Sequence, residues 1–526
     1  MTAPATAQHF AGAEVRIGGT PLDPQLAERL LEVRVQDSLM LPDTFLLRLA
    51  DPGLEHVDSG PFEIGAEVEV LFGAPDAATL TSLIKGQITT SEPEFGPEGV
   101  ILAARGYDHA HSLNRTRRTE TFQNMTADDI ARKVADRAGL QSATIDSAGV
   151  PHDFVQQSNE TDWELLLRLA AAIDFEVVVK DKQLHFRRAG TSDHSPPPTL
   201  RWGERLRSFR PRVTGVQQVD EVQVRGWDPK VKQAISASTH AQGLSSEIGI
   251  ARQKVVSSLG GGTVTVADRP VSTQAEADAL ARSVASHLGN AFVEAEGVAD
   301  GDPGLRAGRK VTIDGVGTKF GGTYALSATT HLFRGSKGYQ TIFQISGRAP
   351  RSLIDLMTPA PRRNWADGPV VGVVTQNRDP DGLGRVRVKY PELGDENEGW
   401  WARVASPSAG KKRGLLMMPV VGEEVLLGFE HGDARKPYVL GSLWNGTEKP
   451  ETLAQTDGSF ALRSDEKVVI ESAGDLSVSS DGGKVSVSAG AEVVIEAKAS
   501  VSVKAPSLKI EASGVVQISG SQILLG

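Results

Sequence analysis

The 526 residues are 39% hydrophobic and 23% charged, with 56 Lys plus Arg against 66 Asp plus Glu, a net charge of -10 and a pI near 5.7. That length exceeds one hydrophobic core, so roughly three to five domains are expected. The acidic balance argues against nucleic acid as the main partner, and the absence of Cys excludes disulfides, thiolate metal sites and a Cys nucleophile.

Met1 to Phe10 lacks a basic start followed by an apolar run, so no secretory signal is expected there. No apolar stretch approaches the roughly 18 residues of a membrane-spanning helix. The expectation is a chain made and assembled in the cytoplasm and carried out, if at all, by something else. The first hundred residues then read as short strands: Glu14–Ile17, Leu31–Val35, Phe45–Leu49, Glu67–Phe72 and Leu83–Ile88, broken by Gly, Pro and Asp. That spacing suggests a small barrel or sandwich.

Thr126 opens a helix with acidic residues in its first turn and a stop at Gly139; Ile130, Val134 and Ala138 recur on one face. A second helix runs from Thr161 to about Ala172, followed by strands Phe175–Val179 and Gln183–Phe186. This α/β segment closes near a linker at Ser195–Pro198. Strands return at Asp220–Arg225, Lys310–Ile313, Thr323–Ser327 and Tyr339–Ile345. One helix interrupts them, opened by Ser272 and Thr273, with Ala279, Leu280, Val284 and Leu288 on its buried side. Thr358–Arg363 reads as a linker. Residues 368–445 form a module of five or six strands, with a strong turn signal at Asp379-Pro-Asp-Gly382 and a strand expected at Gly414–Met418. A small, partly open Greek-key barrel of the OB type suits that spacing.

After Pro450 the sequence is nearly periodic. Apolar-x-apolar pairs fall at Phe460/Leu462, Val468/Ile470, Leu476/Val478, Val485/Val487, Val493/Ile495, Val501/Val503, Leu508/Ile510, Val516/Ile518 and Ile523/Leu525, seven to nine residues apart. Ser, Gly, Ala, Asp and Lys fill the intervals as turns. Each pair puts two side chains on one face of a short strand. A single such chain has a thin apolar face and open edges. Three chains wound about one axis pair every edge and bury every pair. The expected trimer core is Val468, Ile470, Leu476, Val478, Val485, Val487, Val493, Ile495, Val501, Val503, Leu508, Ile510, Val516 and Ile518. A single-chain β-solenoid normally needs about 20 residues per coil, which an eight-residue period does not supply. A disordered tail conflicts with the regular β-branched content. The terminal Ile523, Leu524, Leu525 and Gly526 would end a trimer in a blunt apolar patch suited to binding a separate tip protein.

Val371–Val388 with its Asn-Arg-Asp-Pro-Asp-Gly-Leu-Gly-Arg run, Trp400–Val404, and Pro419–Asp433 with Pro437–Leu443 resemble the spike-base OB domain of the VgrG family and of contractile phage tail hub-and-spike proteins. Gln123–Gly139, Gln156–Phe186 and Gly322–Phe343 resemble the phage late-control family more loosely. The resemblance implies a mainly β chain with an α/β insert. Its parts would be hub barrel 1 (1–110), the insert (111–200), hub barrel 2 (201–360), an OB-fold barrel (366–447) and an intertwined triple-stranded β-helix (456–526). It further implies a homotrimer seated on a hexameric inner tube protein among baseplate proteins, with a PAAR-like tip protein, room for effector cargo and transient contact with a target membrane. Some relatives carry a lysozyme or toxin domain; Trp444–Pro450 leads here straight into the repeat, so neither is expected. No cofactor and no enzymatic activity are expected.

The motifs of chemistry are sparse. Gly-x-Ser-x-Gly, His-Glu-x-x-His and a true phosphate loop are missing. Ala409-Gly-Lys-Lys412 lacks the leading Gly and a following Ser or Thr, so it reads as a loop. His109 and His111 share a face if they lie on a strand, but no third ligand is near in sequence. Gly315-x-Gly317 reads as a turn. Glu92, Glu94, Glu98, Glu396 and Glu398 read as solvated loop charge, and Trp400 and Trp401 as packing within the OB module. The alternative function is a cell-wall hydrolase with its site in Tyr107–Arg188, and a glycan-binding fibre is a third reading, weakened by a needle whose single aromatic is Phe460.

Overall fold

The structure is a computed structural model that describes residues 13–73, 79–97, 99–149, 151–190, 196–216, 218–241, 246–335, 337–346, 368–393, 398–450 and 460–524. Met1–Phe10, Glu98, Ser195, the linker at Thr358–Arg363, Glu396, Leu525 and Gly526 lie outside them. The chain divides into two units, Met1–Lys449 and Pro450–Gly526.

The first unit is built on an 11-stranded sheet. Leu30–Ser38, Thr44–Ala50, Gly99–Asp108, Thr81–Gly96 and Glu67–Phe72 are consecutive neighbours in it. Val33, Val35, Phe45, Leu47, Leu49, Val68, Val70 and Phe72 are all buried in one core. Alternation along each strand selects that face. Gly106 is required by packing, because a Cβ there would stand 2.1 Å from the Gln87 carbonyl oxygen and 2.3 Å from the Phe45 ring.

The sheet continues into the second β-rich stretch because Ala328–Arg334 pairs antiparallel with Leu30–Ser38, Ala328 opposite Ser38 and Arg334 opposite Glu32. Gly338–Ile345, Val293–Asp300 and Leu206–Val213 extend it beyond. This half has its own core of Leu206, Val293, Val311, Tyr324 and Phe343. At the join, Asp37 accepts hydrogen bonds from Arg306 Nε and from the Ala307 amide, the latter at 2.8 Å. Burial, then the charges of Asp37 and Asp108, push Asp43 well above the usual carboxylate range despite Arg306. Burial likewise pushes Asp108 up to about 7.

Between the halves lies the α/β segment. Its helices Ala127–Arg137 and Asp162–Ala172 each start with a capping box, Thr126 with Asp129 and Thr161 with Glu164. Gly139 follows the first with φ +68°, the left-handed conformation a helix stop requires. The strand pair Arg117–Met125 and His152–Thr161 has polar alternation too weak to be read in advance. The later helix is Gln274–Asn290, capped by Thr273, and its fully buried face is Ala277, Leu280, Ala281 and Ala285, with Val284 and Leu288 at its margin. Small residues carry that face because the helix lies close against Glu221–Asp228 and Gln233–His240.

Residues 370–442 close a five-stranded barrel in the order Val370–Gln376, Arg385–Lys389, Glu398–Val404, Pro437–Ser442, Glu424–Phe429. Val374, Val386, Val388, Tyr390, Val425, Leu427 and Val439 fill it. The strand expected over Gly414–Met418 shrinks to a two-residue bridge at Arg413–Gly414, and Leu415, Leu416 and Met417 are exposed.

In the second unit the described residues 460–524 form no strand, helix or backbone-to-backbone hydrogen bond among themselves. The backbone bends at 465–466, 473–474, 481–483, 490–491, 498–499, 506, 513–514 and 521, seven to nine residues apart. Serine hydroxyls hold the first of these: Ser464 accepts from the Glu466 amide, Ser472 from Gly474 and Ser480 from Gly483, each at 3.2 Å. Extended segments thus alternate with turns in phase with the apolar pairs.

Candidate functional site

Among the described residues, the octad repeat leaves a long run of apolar side chains open to water. The fourteen residues expected to form the trimer core, Val468 through Ile518, are 51% to 77% exposed in the single chain. Leu524, expected at the tip, is 82% exposed. Val469, Val494 and Val515, not singled out by the alternating pattern, are exposed as well, and alternation puts them on the opposite strand face from their neighbours. A soluble monomer rarely leaves a contiguous apolar surface of this extent open to water. Among the described residues of the same segment no backbone N–H bonds to a backbone C=O, so apolar face and strand edges are unfilled together.

The barrel contributes a second constellation. Asp379 accepts from the amides of Asp381 at 3.0 Å, Leu383 at 2.9 Å and Arg385 at 3.2 Å, and from the Arg385 guanidinium at 3.0 and 2.7 Å. Gly382 and Gly384 sit at φ +65° and +71°, which lets the turn fold back on that carboxylate. Arg385's hydrogen bonds hold Asp379 well below the usual carboxylate range. The turn was legible in the sequence; its organisation around one carboxylate was not, although an Asp six residues before an Arg across two glycines is a usable signal. Trp400 lies outside the barrel core and stacks on Phe154 of the α/β segment, ring centroids 5.6 Å apart. Arg387 reaches Gln123 there at 2.8 Å. Trp401 is packed beneath the Arg385 guanidinium at 5.6 Å.

The sequence motifs weighed for chemistry are placed as follows. His109 and His111 lie on a 3-10 turn, not a strand, and diverge: His109 faces Glu67 at 3.4 Å, while His111 Nδ1 is 2.7 Å from the Asp108 carbonyl oxygen. Ala409–Gly410 pairs with Arg413–Gly414 as a tight hairpin. Glu92 and Glu94 belong to the strand Thr81–Gly96, not to a loop, and pair across the sheet with Arg105 at 3.1 Å and Arg48 at 2.6 Å. In the α/β segment the carboxylates are held by guanidinium groups: Glu120 and Asp162 by Arg137, Glu160 by Arg168, Glu164 by Arg117 and Glu176 by Arg187.

Comparison with known proteins fits these features. Residues 370–444 match the type VI secretion system/phage-baseplate injector OB domain, and residues 50–334 match the Alg8 N-terminal domain. The chain is 33% identical over 135 residues to the type VI secretion system spike protein VgrG5 of Pseudomonas aeruginosa, covering 24% of this chain and 17% of that protein. It is 36% identical over 101 residues to VgrG2a of the same organism, covering 18% of this chain and 12% of that protein. Among solved structures it resembles the Escherichia coli c3393 protein, a type VI secretion component similar to T4 phage gp27 and gp5. There the TM-score is 0.50 and the identity 14%, over 82% of this chain and 99% of that one. The matched stretches span under a fifth of the two curated relatives' lengths. The chain thus belongs to the family of the Alg8 N-terminal domain, whose match spans more than half of it, and its OB barrel is similar to that of VgrG-type baseplate spikes.

Proposed function

We propose that three copies of this chain assemble into the hub and spike of a contractile injection system. Residues before 447 would form the hub and the spike base, linking a hexameric inner tube protein and baseplate proteins to the spike. The octads would wind into a triple-stranded β-helix that transmits axial force and punctures a target envelope mechanically. One observation carries this reading: fourteen apolar side chains in eight-residue phase, each at least half exposed, along a stretch with no backbone pairing of its own. Around a threefold axis each alternate pair points inward and each edge meets a neighbouring chain. Burial of a Val, Leu or Ile contributes about 1.5–3 kcal/mol, so the gain grows with every closed rung.

The apolar run Ile523, Leu524, Leu525 and Gly526 would seat a PAAR-like tip protein, and effector cargo would travel with it. Exposed Leu416 and Met417 on the barrel offer further apolar surface to neighbouring subunits. The chain would be made and assembled in the cytoplasm and delivered outward on contraction, meeting the target membrane transiently. Catalysis is not needed for this role. The guanidinium-bound carboxylates of the α/β segment favour a structural over a hydrolytic part for it.

The test is native mass spectrometry of the full chain beside a chain ending at Thr456. A trimer for the full chain and a shift towards monomer for the truncation are expected. A full-length monomer with a protease-resistant C-terminal region would overturn the reading.

A further inference from the structure

We infer that Asp51, Glu55 and His56 form a binding site for a divalent transition-metal ion. Asp51 directly follows the strand Thr44–Ala50, and Glu55 and His56 open the short helical turn Glu55–Asp58. One carboxylate oxygen from each acid and one imidazole nitrogen lie within 4.8 Å of one another. Ligands about 2.1 Å from a shared ion stand roughly 3–4 Å apart, so a small rotation of the exposed Glu55 side chain closes the set.

Proximity of acids alone would carry little; the state of the buried atoms carries more. Asp51 is 0% exposed. Its Oδ2 accepts from the amides of His56 and Val57, both at 2.9 Å, which accounts for one oxygen as a cap of the turn. Its Oδ1 is shut away from solvent with no hydrogen-bond partner, and His56 Nδ1 is in the same condition. An unsatisfied carboxylate oxygen and an unsatisfied ring nitrogen, on two residues of one cluster, are what a metal would satisfy and what a purely structural cap would not require. Gly60 approaches the imidazole closely: a Cβ at that position would stand 2.9 Å from Nδ1.

The ligand chemistry sets the class of ion. Two carboxylate oxygens and one imidazole nitrogen suit Zn²⁺ or Mn²⁺ better than Ca²⁺ or Mg²⁺, which favour oxygen alone. A divalent charge balances the two carboxylates. Arg29, which donates to Glu55 Oε2 at 3.1 Å, would share that carboxylate or release it. Bound there, the ion would fasten the end of Thr44–Ala50 to the turn that follows.

The experiment is titration of the EDTA-stripped full chain with Zn²⁺ by calorimetry, with metal content checked by mass spectrometry, for the native sequence, His56→Gln and Glu55→Ala. Glu55 is exposed, so Glu55→Ala leaves the fold in place and keeps the test valid should His56→Gln impair folding. Expected is one Zn²⁺ per native chain, at least tenfold weaker binding in each variant, and a Zn²⁺-dependent rise in Tm confined to the native sequence. Equal Zn²⁺ uptake by native and variant chains, or none by the native chain, overturns the assignment.

Discussion

Replacing Ile495 with aspartate separates a monomeric from an assembled role for the octads more sharply than any truncation. In the single chain this side chain is 77% exposed. If the chain worked alone, the substitution would exchange one solvated group for another, within about 0.5 kcal/mol. In a closed trimer the same side chain would lose that remaining three quarters of its surface. Full burial of isoleucine contributes about 2–3 kcal/mol, so the part still available is about 2 kcal/mol per chain and about 6 kcal/mol per trimer. Burying an aspartate at the shared axis adds a desolvation penalty on top. At about 1.4 kcal/mol per tenfold, the trimer association constant should fall by a factor of about 10⁴ or more. Sedimentation equilibrium over a dilution series reads that change directly, with Ile495→Val as the conservative control expected to cost only about 0.5–1.5 kcal/mol per chain. Native-like association of Ile495→Asp would refute the buried-rung argument.

Removal of one whole octad, residues 484–491, keeps the apolar pairs in phase and should preserve trimer mass, whereas removal of residues 484–487 breaks phase and should weaken association by at least tenfold. Asp379→Ala strips three backbone amides and the largely buried Arg385 of their acceptor, and should destabilise the barrel by about 2–4 kcal/mol, measured as a lower urea midpoint by tryptophan fluorescence. Because Asp379 is held low by Arg385, its contribution is present above the unfolded carboxylate pKa and is lost as pH falls below it. Asp108 runs the other way. Its folded pKa is raised from 3.8 to about 7 by burial, so stability is highest below the unfolded value and is lost as pH rises through about 7. Asp108→Asn keeps an acceptor for the Ala110 amide and should raise Tm at pH 8 by more than at pH 5; an equal effect at both would refute the linkage.

The elements that were legible in the sequence are those whose local signals and tertiary roles coincide. Thr126 and Thr161 cap helices because each is followed by an acid at the third position, and the structure forms both boxes. Val386 and Val388 alternate and fill the barrel. The failures have a common cause in competition from tertiary context. Leu415–Met417 has strand-like composition but lies outside the barrel with no ladder to join. His109 and His111 follow the strand Gly99–Asp108 directly, yet Asp108 accepts from the Ala110 amide at 3.1 Å and turns the chain into a 3-10 helix. The pairing of Ala328–Arg334 with Leu30–Ser38 spans some three hundred residues, and no local periodicity encodes it. For the octads the period was visible, and so was the apolar face. The open edges were legible too, and they belong to the same residues as the uncovered face: the described residues 460–524 form no backbone pairing of their own.

That coincidence sets how the proposed trimer would form. While residues 460–524 are exposed, their N–H and C=O groups are hydrated and an isolated chain meets little penalty. Once a rung begins to close, its backbone groups leave water, and any that lack a partner cost about 1–3 kcal/mol each. A dimer would bury part of each apolar pair and leave one edge of each chain orphaned at the axis. Only closure by a third chain satisfies edges and face in one step. Partial association is therefore penalised where complete association is favoured, so the dimer should be absent at equilibrium. Each closed rung also fixes the register of the next, because a slip of one residue would turn every apolar pair outward. In the proposed spike, stiffness along the axis would follow from that same all-or-none closure.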